Sequence, residues 1–320
     1  MSALRPAPLH HVFGPVPSRR LGRSLGVDLV PFKTCPYDCI YCQLGPTTCQ
    51  TVARREYVPL DAVVREVRQR LAQAPALDYV TLSGSGEPTL HSRIGEVIAA
   101  IKRMTAAPVA VLTNGALLGD PEVQQSLREA DVILPSLDAG DPWLFDYVNR
   151  PHSSITFEEM AEGLVRFREQ SRAPMWLEVL LLDGASSVEP EARKIAQWVR
   201  RIAPERVHLN TVTRPPAVDF ALPVPEETLR RLAALFGPTT EIVADFCAPP
   251  LPPESSEDRE AVFALLRRRP CTAEDVAGGL RLRVTEAAKL LDSLVASGSV
   301  CERRQGRRCY YACASGVGNP

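Results

Sequence analysis

Three cysteines lie within one short segment of the 320-residue chain, with three residues between the first two and two between the second and third. They are Cys35, Cys39 and Cys42. A structural zinc site or an electron-transfer cluster takes four protein ligands. Three thiolates on a [4Fe–4S] cube instead leave one iron free to bind a small molecule. The spacing therefore predicts a cluster that takes part in chemistry.

A fourth cysteine, Cys49, follows seven residues after Cys42, so a four-cysteine zinc site or a ferredoxin-like cluster is the alternative. Residues 25–30 precede the cysteines, are rich in apolar and β-branched residues, and end before Pro31, which predicts a strand. The thiols would then follow the carboxyl end of a strand, where barrel enzymes keep their active sites. This placement favours the three-cysteine cluster with one free iron over a closed four-cysteine site.

Segments that favour strands alternate with segments of helical periodicity up to residue 246. Strands are predicted at residues 25–30, 79–83, 109–113, 132–137, 176–182, 207–210 and 241–244. Helices are predicted at residues 60–73, 92–104, 121–130, 157–169, 190–202 and 226–236. The alternation argues for an α/β fold with a parallel sheet and crossover helices. Six units between residues 25 and 210 predict an incomplete (β/α)6 TIM-like barrel.

Polar residues follow several of these strands, at residues 83–89, 113–115, 136–138 and 210–214. Because the carboxyl ends of parallel strands meet at one edge of the sheet, this edge is the predicted active site. The glycines around Ser85 let the backbone approach a ligand closely. Carbonyl groups beside Glu87 would accept hydrogen bonds from an ammonium group. A tight turn with a surface glutamate is the alternative.

Ser136 and Asp138 occupy alternate positions of a predicted strand, so their side chains point to the same face. A hydroxyl and a carboxylate in this arrangement suit a ribose diol, and Asn114 at the end of the preceding strand is a similar candidate. A helix cap or a plain turn is the alternative, particularly at Asn114 and Gly115.

The cysteine spacing, with Tyr41 immediately before the third cysteine, resembles that of the radical S-adenosylmethionine (radical SAM) enzymes. The segment ending at Glu87 resembles their glycine and glutamate motif, which binds the methionine amino group, although Ser85 stands where many members have glycine. The block through Gly45 looks like a group related to the wyosine-type tRNA-modifying enzymes, and the resemblance covers residues 12–246. It implies a [4Fe–4S] cluster on the three cysteines. It also implies SAM contacts from Tyr41, Ser85, Gly86, Glu87, Asn114, Ser136 and Asp138.

The same resemblance implies reductive cleavage of SAM to a 5′-deoxyadenosyl radical that abstracts hydrogen from a substrate. An electron donor such as flavodoxin or ferredoxin is the implied partner. The sequence does not identify the substrate, which would be an RNA, a peptide or a small molecule. Candidate substrate contacts are Arg19, Arg20, Glu178 and Arg214, because arginine suits carboxylates and phosphates. Surface ion pairing is the alternative for the two adjacent arginines.

The chain changes character after residue 247. Residues 1–247 form the predicted partial barrel, and residues 248–256 contain four prolines, which indicates a stiff linker. Residues 257–320 contain predicted helices at 257–268, 272–278 and 285–297, followed by a hairpin of residues 300–304 and 307–312. Three helices and a hairpin resemble a winged helix-turn-helix domain.

This C-terminal domain opens an alternative function, an iron–sulfur or zinc-binding regulator that binds DNA or RNA. The hairpin carries positive charge that suits nucleic acid, at Arg303, Arg304, Arg307 and Arg308. The predicted third helix offers only Lys289, which favours protein contact, substrate presentation or dimerisation instead. An auxiliary cluster or zinc site is conceivable at Cys271, Cys301, Cys309 and Cys313, but their spacing matches no common ligand pattern, so buried thiols are favoured.

Composition predicts an ordinary cytoplasmic enzyme. The chain is 45% hydrophobic and 23% charged, and its net charge of −1 gives no bulk attraction to nucleic acid or membranes. No stretch approaches the roughly 20 apolar residues of a membrane span. Nine cysteines in a reducing compartment are expected to be metal ligands and buried thiols rather than disulfides.

Overall fold

The computed structural model describes residues 11–18, 20–73, 76–243, 259–280, 284–305 and 308–314. Its strands are β1 (Val12–Ser18), β2 (Gly22–Val27), β3 (Thr34–Cys35), β4 (Cys49–Gln50), β5 (Tyr79–Leu82), β6 (Val109–Thr113), β7 (Val132–Pro135), β8 (Trp176–Leu181), β9 (Arg206–Thr211), β10 (Thr240–Ile242), β11 (Val300–Gln305) and β12 (Arg308–Cys313). Its α-helices are α1 (Leu60–Gln73), α2 (Ile94–Lys102), α3 (Pro121–Ser126), α4 (Pro142–Val148), α5 (Phe157–Gln170), α6 (Glu189–Ile202), α7 (Glu226–Ala233), α8 (Arg259–Leu266), α9 (Ala273–Leu280) and α10 (Val284–Ala296).

The main sheet has the strand order β1-β2-β5-β6-β7. Strands β2, β5, β6 and β7 run parallel, and β1 joins the edge antiparallel to β2. A second parallel sheet has the order β10-β9-β8. Isolated parallel bridges from Ile133 to Met175 and from Ser136 to Glu178 connect β7 with β8. The expected α/β fold with parallel strands and crossover helices is therefore observed.

Helices cover the outer face of the sheet because each has one apolar side. In α1, Leu60, Val63 and Val67 recur at helical spacing and are buried, and the last two are fully inaccessible to solvent. Burying such a side chain contributes about 1.5–3 kcal/mol relative to leaving it exposed. Repetition of this pattern in the other helices fixes the strands, and therefore the residues at their carboxyl ends.

The structure departs from the predicted elements at several strands and helices. The short strands β3 and β4 were not predicted, and α3 ends at Ser126 rather than at residue 130. Strand β2 covers Gly22–Val27 rather than residues 25–30, so Asp28 lies just beyond its carboxyl end. Strand β1 and helix α4 are additional to the predicted elements. Arg19 and the proposed linker at residues 248–256 lie outside the described residues.

The C-terminal part consists of α8, α9, α10 and the antiparallel pair β11–β12. Its own apolar cluster includes Val262, Val276 and Leu291, and it extends to Phe13 and Val16 on β1. The C-terminal part therefore packs directly on the edge strand of the main sheet. None of the helices that the structure describes is both long and apolar enough to span a membrane.

Candidate functional site

A cavity of about 1050 Å³ lies at the carboxyl edge of the parallel strands. Its lining includes all three cysteines of the short segment, Cys35, Cys39 and Cys42. It also includes Ser85 and Gly86 after β5 and residues of the C-terminal part. The strand ends thus bring together side chains that lie far apart in the chain.

The cysteine loop and the glycine-rich segment after β5 are held together by backbone hydrogen bonds. The Lys33 amide donates to the Ser85 carbonyl at 2.6 Å, and the Glu87 amide donates to the Thr34 carbonyl at 3.1 Å. A β-carbon on Gly86 would lie 2.0 Å from the Thr34 carbonyl oxygen, so only glycine permits this approach. The two segments form one continuous wall of the cavity.

Each of the three cysteine sulfurs faces one nitrogen donor from a different part of the chain. Lys33 Nζ lies 3.1 Å from Cys42 Sγ. Asn114 Nδ2 lies 3.4 Å from Cys35 Sγ, and the Nδ2 atom of Asn149 lies 3.5 Å from Cys39 Sγ. Donors to the sulfurs orient thiolate ligands and adjust the potential of an iron–sulfur centre.

Burial opposes ionisation of the Cys35 and Cys39 thiols in the protein without metal. It raises the pKa of Cys35 to about 12, and the nearby Glu87 carboxylate acts in the same direction. Burial, followed by the neighbouring Cys35 and Cys42, also raises the pKa of Cys39. A bound metal reverses this preference, because a coordinating thiol is deprotonated. The donor set therefore suits a positively charged metal centre.

Cys49 lies apart from this group. It is exposed, and it pairs with Thr34 in the short β3–β4 ladder, whereas Cys35 pairs with Gln50. Because side chains alternate between the two faces of a strand pair, the side chain of Cys49 points to the face opposite that of Cys35. It is not among the residues that line the cavity. Within the described ranges, no three His, Cys, Asp or Glu side chains converge on a single metal ion. The alternative with Cys49 as fourth ligand does not fit this arrangement.

Glu87 is buried at the base of the cavity, and its two oxygens already accept hydrogen bonds from the chain. Oε1 accepts from the amide and hydroxyl of Thr89 at 3.0 and 2.6 Å, and from the Thr113 hydroxyl at 2.7 Å. Oε2 accepts from the Asn114 amide at 2.7 Å. Burial raises the pKa of Glu87, and these four donors oppose that shift. Glu87 thus ties the end of β6 to the segment that follows β5.

Ser136 lines the cavity, whereas Asp138 is buried and does not. The Asp138 carboxylate accepts a short hydrogen bond from the Tyr41 hydroxyl, a second from the Asn149 side-chain amide at 3.1 Å, and a third from the Leu180 backbone amide at 2.9 Å. Burial raises the pKa of Asp138 against these donors. The predicted ribose contact by Asp138 does not match this position, since its oxygens are used to anchor the cysteine loop.

Replacement of Tyr41 with phenylalanine tests this anchor. The change leaves the buried Asp138 carboxylate with one donor fewer, so we expect the free energy of unfolding to fall by about 1.5–3 kcal/mol, the value of a hydrogen bond to a charged group. Urea denaturation followed by tryptophan fluorescence measures it. Tyr57→Phe is the matched control, because its exposed hydroxyl bonds only a backbone carbonyl. Equal effects of the two changes would contradict the anchor.

The described substrate candidates line the same cavity. Arg20 forms an ion pair with Glu178, whose Oε1 also accepts from Asn210 at 2.9 Å. Arg214 lies 3.4 Å from Asp275 of the C-terminal part. Tyr41 and Asn114 line the cavity as well. The structure thus brings these residues to one cavity, while their roles toward substrate and cofactor stay predictions.

The family model for the radical SAM superfamily matches residues 29–193, which include the three cysteines and the glycine-rich segment. The chain belongs to the radical SAM superfamily. As a radical SAM protein it is an enzyme whose cofactors are a [4Fe–4S] cluster and S-adenosylmethionine. The donor set described above fits the cluster, because three partly buried cysteines, each with its own nitrogen donor, line one cavity.

Relatives cover most of this radical SAM chain. A UPF0026 protein of Helicobacter pylori is 32% identical over 305 residues, which are 94% of this chain and 96% of that protein. A protein named GTPase Obg from Brachyspira hyodysenteriae is 36% identical over 91% of this chain, but the chain spans only 43% of that protein's length. A radical SAM methyltransferase from Sphaerobacter thermophilus matches in structure with a TM-score of 0.52 and 18% identity, over 69% of this chain and 66% of that one. That likeness concerns the fold.

Four residues of the radical SAM site were missed by sequence reasoning: Lys33, Asn149, Asp28 and Arg268. Lys33 had a signal, because it is one of only four lysines in an arginine-rich chain and stands two residues before Cys35. Asp28 had one too, since it is the single charged residue of the otherwise apolar segment 25–30. Asn149 and Arg268 had none, because they contact the site only through the tertiary fold.

The four cysteines of the C-terminal part are spread over its interior. Cys271 is buried in its apolar cluster, and Cys309 and Cys313 pack against that cluster. Burial raises the pKa of Cys271 to about 11. These positions agree with packed thiols, and an auxiliary metal site there stays a prediction.

Proposed function

We propose that this radical SAM enzyme abstracts a hydrogen atom from a substrate held in the cavity between the cysteine loop and the C-terminal part. The observation that carries the proposal is that one cavity is lined by Cys35, Cys39 and Cys42, by the glycine-rich segment, and by polar residues of the C-terminal part. When bound, the cluster supplies the electron that cleaves SAM into methionine and a 5′-deoxyadenosyl radical.

The residues of the chain have separate tasks in this proposal. Cys35, Cys39 and Cys42 hold the cluster, and the donors Lys33, Asn114 and Asn149 orient their sulfurs. SAM contacts are proposed for the cavity-lining residues Tyr41, Ser85, Gly86, Glu87, Asn114 and Ser136. Glu87 also holds the strand ends in place through its four hydrogen bonds.

The cavity volume limits how large the substrate group can be. Pockets for a single small ligand measure about 300–1,000 Å³. At about 1050 Å³, this cavity has room for SAM and a substrate group of modest size. The C-terminal part contributes Arg268, Thr272, Asp275 and Tyr310 to its lining. An RNA nucleotide, a peptide side chain or a small molecule would fit, and the proposed relation to wyosine-type enzymes favours RNA.

The finer architecture is part of the same proposal. The sheet from β2 to β9 is inferred to be an incomplete (β/α)6 barrel within residues 1–247, and residues 257–320 a winged helix-turn-helix domain. The three helices and the antiparallel pair support the latter. A flavodoxin or ferredoxin in the cytoplasm would supply the electron.

The alternative, a nucleic-acid-binding regulator, draws on the exposed Arg303 and Arg304 of β11. Much of the C-terminal part nevertheless faces the barrel, because Thr272 and Asp275 line the cavity and Tyr310 donates to the Thr213 carbonyl. This contact favours the enzymatic role. Binding to tRNA or genomic DNA fragments in a gel shift at low salt, without SAM cleavage, would favour the regulator instead.

Anaerobic reconstitution tests the proposal directly. The protein is loaded with iron and sulfide, reduced with dithionite and mixed with SAM. We expect about four irons per chain, as for a cubane cluster, and formation of 5′-deoxyadenosine. A zinc-loaded protein, or a cluster that never cleaves SAM, would contradict it.

A further inference from the structure

A buried chain of hydrogen bonds links the C-terminal part to the glycine-rich segment. Arg268, just after α8, places its NH1 atom 2.5 Å from Asp28 Oδ2, and only 10% and 9% of the two side chains are exposed. The same Asp28 oxygen accepts from the Ser85 amide at 3.1 Å and from the Ser85 hydroxyl at 2.5 Å. Asp28 is therefore shared between the two parts of the chain.

The packing around Asp28 leaves little freedom for this arrangement. Gly84 has a φ of +151°, and a β-carbon there would lie 2.6 Å from Asp28 Cγ. On the other side, the Arg268 guanidinium carbon lies 4.1 Å from the centre of the Phe13 ring. A cation over an aromatic face gains further attraction when it is desolvated. Arg268 is thus fixed by Phe13 and Asp28 together.

Ser85 stands where many radical SAM enzymes have glycine, and only a side chain with a hydroxyl can make the second bond to Asp28. The departure from the motif therefore coincides with the point where the C-terminal part attaches. Without Arg268, the buried Asp28 carboxylate would lose its positively charged partner, which is costly. We expect Asp28 then to turn toward water and to release the Ser85 amide and hydroxyl.

We propose that Arg268, Asp28 and Ser85 are positioning residues through which the C-terminal part holds the SAM-binding segment in place. The inference rests on the proposed SAM contact of residues 85–87. Because coupling between two sites is reciprocal, SAM binding must also stabilise the attachment of the C-terminal part. Other contacts across the same boundary, Arg214 with Asp275 and Tyr310 with the Thr213 carbonyl, keep the two parts together in variants of Arg268.

A double-mutant cycle on the reconstituted full chain tests this coupling. We expect Arg268→Met to weaken SAM binding about tenfold, within the 5- to 150-fold range usual for coupled sites, at unchanged iron content. In the Ser85→Gly background, the same change should alter SAM affinity by less than about threefold, since the hydroxyl bond to Asp28 is lost and only the amide bond remains. Arg268→Lys, which keeps the charge, should restore part of the affinity. The matched control is Arg304→Met, an exposed arginine of the same part.

A second readout does not depend on affinity. SAM should slow amide hydrogen exchange in α8 and α9 of the wild type, and should not do so in Arg268→Met. If Arg268→Met fails to fold, the cycle is run with Arg268→Gln, which also removes the positive charge. If the arginine change altered SAM affinity equally in both backgrounds, or in neither, the proposed coupling would be wrong. The proposed function would still hold in that case, provided that the wild type cleaves SAM. A wild type that does not bind SAM would overturn both.

Discussion

Alanine at Cys35, Cys39 or Cys42 is expected to abolish the cluster and, with it, all formation of 5′-deoxyadenosine. Each substitution removes one of three ligands, and Cys49, the next thiol along the chain, points to the opposite face of the β3–β4 ladder. Iron content after anaerobic reconstitution and deoxyadenosine by chromatography measure the two effects.

Protein stability separates this loss from unfolding. Burial raises the pKa of Cys35 and of Cys39, which favours their neutral thiols in the protein without metal. Alanine removes only the sulfur atom from the side chain, so the urea transition of the cluster-free protein should change by about 0.5–1.5 kcal/mol, as for the loss of one buried methyl group. Cys49→Ala is the control and should keep both iron and activity. Retention of a SAM-cleaving cluster in any of the three variants would refute the ligand assignment.

The parallel core of the fold could be predicted because local periodicity and burial agree there. The predicted helix at residues 60–73 coincides with α1, and the strand predicted at 109–113 coincides with β6. In both, apolar residues recur at the period of the element, so tertiary packing strengthens what the sequence already favours. The same agreement placed the polar residues at one edge of the sheet.

Strand β1 and helix α4 escaped prediction for different reasons. β1 contains Gly14, Pro15 and Pro17, which argue against a strand. It forms because it lies at the edge of the sheet, where a residue without an amide hydrogen can be tolerated. α4 is only seven residues long, and its exposed Trp143 and Tyr147 stand beside the buried Leu144, Phe145 and Val148, so the sequence shows no clear helical period there. Asp141 as its N-cap, followed by proline, was the available signal.

The roles of individual site residues depended on contacts that no local pattern encodes. Asp138 was assigned to a ribose because its strand position was known, but its partners Tyr41, Asn149 and Leu180 come from three other segments. Ser85 was noticed as a departure from the motif, while its link through Asp28 reaches an arginine 183 positions away in sequence. Strand ends can be located from sequence, but the partners of a buried carboxylate cannot.

Glu87→Ala is expected to have the largest effect on stability of any single change at the site. It deletes the acceptor of four hydrogen bonds, from the Thr89 amide and hydroxyl, the Thr113 hydroxyl and the Asn114 amide. Each buried donor left without a partner costs about 1–3 kcal/mol, and water entering the vacated space recovers part of this. We therefore expect the free energy of unfolding to fall by about 3–5 kcal/mol, a loss typical of a broken buried network.

The three tryptophans, Trp143, Trp176 and Trp198, all lie in the α/β part, so their fluorescence during urea denaturation reports on the part that contains Glu87. Glu162→Ala is the matched control, because Glu162 pairs with Arg201 at the surface and should change stability by no more than about 1 kcal/mol. Glu87→Gln keeps one acceptor oxygen and should fall between the two. If Glu87→Ala matched the surface control, the four donors would have other acceptors, and Glu87 would be free to contact SAM instead of holding the ends of β5 and β6 together.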